Sequence, residues 1–296
     1  MELRQLRYFS KACELQNFSE AAKVLYISQS TLSQQIKQLE EELDVLLFDR
    51  IGKRVVTTEA GLAFLPYALK TIQEAESGRQ VIKDLKGIEA GTLLIGVTHS
   101  MSRLLTTALQ QFTKRYPKIM VKATFVTSEE AMSMLEANEI DMALSFKTEE
   151  LSNNFETHPL FYSRLCFMVH KSHPMADLSS ITLKRLSRTP LVLPDIGFAT
   201  RKKVDEMFRD NGLTPRVGVE MNDVHAIVQM LESGYWGTVL TQAAVQEEPD
   251  IVEIPIISSE QLISRGYLFW SQGTYRKKSA LAFADILRKV AEIIIP

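Results

Sequence analysis

Two stretches of this 296-residue chain hold side chains whose types and spacing could do chemistry, and in both the chemistry is recognition rather than catalysis. The first runs from Asn17 to Lys37, NFSEAAKVLYISQSTLSQQIK. Here Leu32, Ile36, Leu39 and Leu43 recur at i, i+4, i+7 and i+11, one face of a helix that Ser28 can cap. The opposite face carries Ser30, Ser33, Gln34, Lys37 and Gln38, with Ser28 and Thr31 at its N-terminal end. Apart from Lys37 that face is uncharged. Its hydroxyls and amides are the groups that pair with base edges and phosphate oxygens in a major groove. A merely solvated helix face is the plainer reading of the same residues.

The second set is split along the chain. Thr98, His99 and Ser100 follow an apolar strand and lead into a helix, where backbone donors and the helix dipole favour an anion. Gly197, Phe198, Ala199 and Thr200 likewise precede a helix. A small carboxylate or inorganic oxyanion held between the two helix starts would satisfy both, with Thr98, Ser100 and Thr200 as first contacts. Ser128 and Ser145 are further candidates from neighbouring strand ends, and Phe146 could wall the pocket. The alternative is that these residues only cap helices. His170 and His173 lie in a loop without a cysteine or carboxylate cluster, so no metal is expected there. The sequence holds no Walker loop, GxSxG elbow, HExxH or zinc knuckle, and no cofactor is expected.

Composition agrees with a protein able to bury a full core: 45% of residues are hydrophobic and the length suits two or three domains. The net charge of −2 argues against indiscriminate nucleic-acid binding. Placement matters more: Arg50, Lys53 and Arg54 cluster after the polar helix, while Glu40, Glu41 and Glu42 form an acidic patch expected to face away from phosphates. No apolar run reaches the ~18 residues of a membrane span, and the N-terminus lacks a signal peptide's pattern, so a cytoplasmic protein without membrane partners is expected. Cys13 and Cys166 are too few and too far apart for a disulfide framework and read as buried small hydrophobes.

The elements that must position these residues follow from periodicity. Leu3, Leu6, Phe9, Ala12 and Cys13 give a first helix, and Ser19 is the expected N-cap of a second, with Phe18 as its hydrophobic staple. Leu46, Leu47 and Phe48 are expected to plug the core, and DRIGKRVVTT reads as a two-stranded wing turning at Gly52. Thr58 and Glu59 open a long helix reaching about Leu85, with Leu62, Leu65, Leu69, Ile72, Ile82 and Leu85 on a seam for a second helix. Packing of that seam on its own domain is the alternative. Pro66 lies inside and is expected to bend the helix or cost it a hydrogen bond there. KGIEAG, 86–91, is the expected hinge. Beyond it strands and helices alternate in two similar α/β halves, implying crossover units on a mainly parallel sheet and a ligand cleft between the halves.

Met1 to Gly61 resembles the N-terminal domain of LysR-type transcriptional regulators without a gap. LRYF, FSEAAKVLYISQS, LSQQIKQLEEELDVLLFDR and TTEAG carry the resemblance, while Ser30 stands where proline is common and Gln34 where arginine is frequent. HPLFYSRLCFMVHKSHPMA and SGYWGTVL extend the likeness, less specifically, to the family's effector domain. The resemblance implies an α/β protein with an N-terminal winged helix-turn-helix (1–58), a linker dimerisation helix and hinge (59–90), and a C-terminal two-subdomain effector domain resembling a periplasmic binding protein (91–296). The subdomains would be about 91–162 with 266–296, and 163–265. It also implies phosphate-backbone contacts from Arg50 and the wing tip, double-stranded DNA and RNA polymerase as partners, a homodimer or homotetramer, and a small effector. A transport-type anion-binding protein has no need of the first 60 or so residues, and an enzyme with a DNA-binding appendage lacks a catalytic constellation here. A peroxide-sensing mechanism needs a cysteine pair in the effector domain, where only Cys166 is present.

Overall fold

The computed structural model describes residues 1–51, 54–85, 87, 90–146, 154–245, 248–258 and 262–294, without the side chains of Arg50, Ile51, Arg54 and Ile294. The wing turn at Gly52, Lys53 and most of the hinge therefore lie outside the described residues. The chain divides into two compact units, Met1–Leu85 and Lys86–Pro296.

The first unit contains α1 (Leu3–Leu15), α2 (Phe18–Val24), α3 (Gln29–Leu43), a hairpin of β1 (Phe48–Ile51) and β2 (Arg54–Thr57), and α4 (Glu59–Leu85). Asn17, not Ser19, is the N-cap of α2: its side chain accepts from the backbone N–H of Ser19 and Glu20, so Ser19 falls inside the helix. Ser28 caps α3 by accepting from the Thr31 N–H. Tyr26, between the two helices, has a left-handed φ of 55°. Leu6, Phe9, Phe18, Leu32, Ile36, Leu39, Leu47 and Phe48 make one core, in which Phe48 lies 5.5 Å from Phe9 and 5.3 Å from Phe18 between ring centroids.

Two expectations fail locally. Leu46 is 63% exposed, lying just before β1 with its side chain outward while its carbonyl accepts the Thr58 hydroxyl at 2.7 Å. Glu40 is buried, and one of its carboxylate oxygens accepts the backbone N–H groups of Leu47 (2.8 Å) and Phe48 (3.1 Å). It belongs to the joint between α3 and the wing, not to an outward acidic patch. Thr58 Oγ1 accepts the Gly61 N–H at 3.0 Å and so caps α4. A Cβ at Gly61 would collide with the Leu47 carbonyl and sit 2.7 Å from Thr57 Cγ2, which explains a glycine in the first turn. The helix is continuous through Pro66.

The second unit is built on one mixed sheet with central order β4-β3-β5-β12-β6-β10-β8-β9. In the first half, β3 (Gly91–Val97) pairs parallel with β4 (Ile119–Phe125) and β5 (Met142–Phe146). Leu93, Ile95, Val97, Leu144 and Phe146 lie on the face covered by α5 (Ser102–Arg115) and α10 (Lys278–Ile294), and Ala143 meets α6 (Ser128–Glu136) on the other. In the second half, β8 (Leu191–Pro194), β9 (Val217–Met221) and β10 (Gly237–Thr241) run parallel, with α7 (Leu183–Leu186) and α8 (Ala199–Asp210) on one face and α9 (Val224–Leu231) on the other. The halves share β6 (Phe155–His170), a 16-residue strand that pairs antiparallel with β12 (Ile263–Ser271) along its first part and with β10 and β11 (Ile251–Ile257) along its second. A short β7 (Ile181–Thr182) extends β11. β6 and β12 are the antiparallel members of what sequence spacing suggested to be mainly parallel.

Candidate functional site

On the first unit, Ser28, Ser30, Thr31, Gln34, Lys37 and Gln38 are exposed on α3, and Ser33 is half-buried. The Ser28 hydroxyl lies 2.8 Å from those of Ser30 and Thr31, so three hydroxyls gather at the helix N-terminus. The dipole there favours phosphate oxygens, and Gln34 lies one turn further along the exposed face. Among the described residues Lys37 makes only an exposed i,i+4 ion pair with Glu41 at 3.5 Å, a weak contact that a phosphate could replace.

On the second unit, the corner after β3 and the start of α8 face each other across the two halves. Thr98 is buried with its N–H donated to the Leu144 carbonyl at 2.9 Å, tying the corner to the end of β5. Ser100 is also buried, within a short 3-10 turn, His99–Met101, that precedes α5. Ser145 Oγ donates to Ser128 Oγ at 2.8 Å, both buried where β5 ends and α6 begins. Opposite, α8 starts at Ala199 with Phe198 as an N-cap that has no side-chain acceptor, so its first backbone N–H groups are not satisfied by a cap. Ala199 and Thr200 are thus the first residues of the helix rather than preceding it, and Thr200 is buried.

Contacts between the halves close around this point. The His99 ring lies 5.1 Å from Phe125 and 5.9 Å from Phe198 between centroids. A Cβ at Gly197 would sit 3.0 Å from Thr127 Cγ2, and Lys202 of α8 pairs with Glu129 of α6. The site therefore collects hydroxyls and a helix N-terminus, with no carboxylate among the candidate residues. That suits holding a small acceptor-rich molecule; it offers no nucleophile–base pair. Among the described residues no group of three or more His, Cys, Asp or Glu side chains could hold a metal ion.

Residues 3–62 match the model of the bacterial regulatory helix-turn-helix protein, lysR family, and residues 86–292 match the LysR substrate binding domain. The chain belongs to the LysR family of transcriptional regulators. Among its relatives, the HTH-type transcriptional regulator CysB of Burkholderia cenocepacia is 33% identical over 97% of this chain and 93% of that protein. A solved full-length OxyR variant of Pseudomonas aeruginosa superimposes with a TM-score of 0.74 at 25% identity, covering 99% of this chain and 97% of that one. The regulatory domain of Synechocystis PCC6803 CcmR, solved in complex with 2-PG, has a TM-score of 0.63 at 22% identity, covering 70% of this chain and 100% of that one.

In this LysR-type regulator the seam of α4 is divided. Leu65 and Ile72 pack against the core of their own unit, whereas Leu62, Leu69, Ile82 and Leu85 are exposed. Sequence reasoning missed Glu40, whose role depends on a contact seven and eight residues away that no helical spacing predicts. It also missed Thr241, at the C-terminal end of β10, whose hydroxyl is buried without a partner among the described residues. A threonine ending a strand next to a turn was the available signal. Arg50, Lys53 and Arg54, expected at the backbone, have side chains outside the described residues.

Proposed function

We propose that this LysR-type regulator reads its operator with Ser30, Thr31, Ser33, Gln34 and Lys37 of α3 and responds to a small anionic effector bound by Thr98, Ser100 and Thr200. Ser28 orders the helix start, and Arg50, Lys53 and Arg54 of the wing hold the phosphate backbone. Around the effector, Ser128 and Ser145 supply paired hydroxyls, Phe146 and Phe198 wall the pocket, and His99 and Ala199 border it. The observation that carries this reading is the approach of the turn that holds buried Thr98 and Ser100 to the uncapped start of α8, where the His99 and Phe198 rings lie 5.9 Å apart between centroids. Uncapped N–H groups and hydroxyl donors suit a carboxylate or oxyanion, and a regulatory domain of this fold is known with 2-PG bound. Dimerisation through the exposed α4 residues would place two α3 helices on successive turns of DNA. RNA polymerase is the further partner of such a regulator.

Cysteine chemistry does not fit. Burial pushes the Cys166 thiol up to about 11, and it lies 2% exposed on β6, so it stays a neutral thiol at neutral pH. Calorimetry against small carboxylates and oxyanions tests the effector reading. Thr98→Ala, Ser100→Ala and Thr200→Ala should each weaken the bound anion by about ten- to hundredfold, the loss of one charge-assisted contact, while DNA affinity without effector stays near wild type. An effector that proves neutral or cationic, or that binds all three variants normally, refutes it.

A further inference from the structure

The two halves of the second unit each finish one parallel strand in the same way. β3 leads through Thr98, at φ −79° and ψ 145°, into the 3-10 turn His99–Met101; β10 ends on Thr241, at φ −76° and ψ 145°, before a 3-10 turn, Gln242–Ala244. Neither threonine caps its turn with its side chain. The two turns lie together: Met101 and Ala243 share one apolar core, and His99, Ala243 and Ala244 line one cavity. Successive side chains of a strand point to opposite faces of its sheet. Leu240 packs with Ile227 and Leu231 of α9, whereas Val239 packs with Val204 and Phe208 of α8, which puts Thr241 on the α8 face. It stands at the C-terminal end of β10, beside the parallel strand β8 that leads into α8, and ligands of such sheets collect at that end. Thr241 is 0% exposed, and its hydroxyl has no hydrogen-bond partner among the described residues. The reason is local. A threonine at the start of a helical turn ordinarily accepts the N–H two or three residues on, and the first of these, from Ala243, is taken by Ser163 Oγ of β6 at 3.0 Å. Thr98 is less extreme, with one long contact of 3.4 Å from its hydroxyl to the Leu144 carbonyl. Leaving a buried hydroxyl unpaired is destabilising, and a valine of the same shape avoids it.

We propose that Thr241 is a further contact of the effector, the second half's counterpart of Thr98, and that its hydroxyl donates to the anion held at the start of α8. This rests on the anion reading above and adds to it a donor from β10, a strand that carries none of the residues so far assigned. The anion then takes hydroxyls from the turn after β3 on one side, and the Thr241 hydroxyl with the first N–H groups of α8 on the other. Because the Ala243 N–H is already engaged by Ser163, the Thr241 hydroxyl is kept free of its own turn and available to a ligand oxygen. Thr238, three residues earlier on the same strand, also has a fully buried hydroxyl without a partner among the described residues, but it lies on the α9 face with Leu240. It serves as the internal control.

Calorimetry and thermal melts on the full-length protein test this, with sulfate, phosphate and oxalate as probes. Wild type should bind at least one of them saturably. Thr241→Val should weaken that anion by about tenfold or more, the loss of one charge-assisted contact, while its melting temperature without anion stays at or above that of wild type, because no internal hydrogen bond is removed. Thr241→Ser keeps the hydroxyl and should bind close to wild type. Thr238→Val should behave like Thr241→Val in the melt and bind the anion normally. Wild-type binding by Thr241→Val, with Thr98→Ala weakened, overturns this inference and leaves the anion reading standing. Weakened binding in Thr241→Val together with a lower melting temperature also overturns it, since the hydroxyl would then be holding the fold. So does equal weakening in Thr238→Val, which would trace the loss to the strand. If wild type binds none of the three probes, the anion reading fails and the inference fails with it.

Discussion

Glu40 should decide whether the wing is held at its working angle to α3. Its single carboxylate oxygen accepts two backbone N–H groups, from Leu47 at 2.8 Å and Phe48 at 3.1 Å, within a side chain that is 8% exposed. In Glu40→Ala both donors stay buried without an acceptor, at about 1–3 kcal/mol each, so roughly 2–6 kcal/mol in all. A unit of 85 residues has only about 4–13 kcal/mol of stability, so Met1–Leu85 should be left marginal. At ~4–8 °C per kcal/mol for a unit of this size, its melting should fall by at least about 8 °C. Glu40→Gln keeps an oxygen with two lone pairs at the same place and loses only the charge, which should cost about 1–2 kcal/mol. Hydrogen exchange on the intact protein reads the consequence at its source. The Leu47 and Phe48 amides should exchange far faster in the alanine variant and nearly normally in the glutamine one, with DNA affinity following the same order. If glutamine is as damaging as alanine, the charge rather than the two acceptor contacts matters. If alanine is harmless, the reasoning about buried donors is wrong.

Other expectations follow from single observations. Gln34→Ala should weaken operator binding by ~1–3 kcal/mol and leave random DNA nearly unaffected, whereas Arg50→Ala should weaken both and lower the salt slope by about one; binding titrations at several salt concentrations separate these. Leu69→Glu, on an exposed α4 position, should break the dimer and DNA binding together without unfolding the chain. Ile72→Glu should destabilise the N-terminal unit as well, since Ile72 packs inward; sedimentation and thermal melts of both variants check the division. Burial holds the His173 imidazole below its ordinary value of 6.5, with Nδ1 accepting the Met175 N–H at 3.1 Å. The unfolded chain then takes up a proton near pH 6.5 that the folded one refuses, so stability should fall as pH drops below that value, and His173→Asn should flatten this part of the melting profile.

Where the sequence was readable, it was because local pattern and packing agree. Ser28, Leu32, Ile36 and Leu39 form a cap and an apolar stripe within a few residues, and α3 follows directly from them. The strands GTLLIGV and VGVEM end at turn signals and fell close to their observed bounds. The first part of β6 escaped because Pro159 interrupts it, and β11 because IVEIPII contains Pro255. Proline usually demotes a strand to an edge, and Pro255 survives in register opposite Cys166. Asn17 and Ser19 are both good caps, and only the backbone of Asn17, extended at φ −150°, shows which one the helix uses. The α4 seam was legible as a pattern but not as a partner, because a three-four alternation suits an inner core and an outer helix equally. Contacts such as Glu40 with Leu47, or His99 with Phe198, depend on where elements meet and leave no periodic trace.

The same distinction bears on how an effector could act. A ligand shifts an equilibrium only by binding two arrangements unequally. Contacts that join the two helical sides of the cleft include the His99–Phe198 ring contact, the Gly197–Thr127 approach, the packing of Ala199 against the core of the first half and the Lys202–Glu129 pair. The last is exposed, and pairs of that kind contribute about 0–1 kcal/mol. An anion of the kind proposed above, joining Thr98 and Ser100 to the α8 start, would add several kcal/mol through charge-assisted bonds. Closure should therefore be governed by occupancy, with β6, which runs through both halves, as the strand that must flex. A glycine at position 197 fits this reading. There a side chain would press on the Thr127 methyl across the cleft, at 3.0 Å.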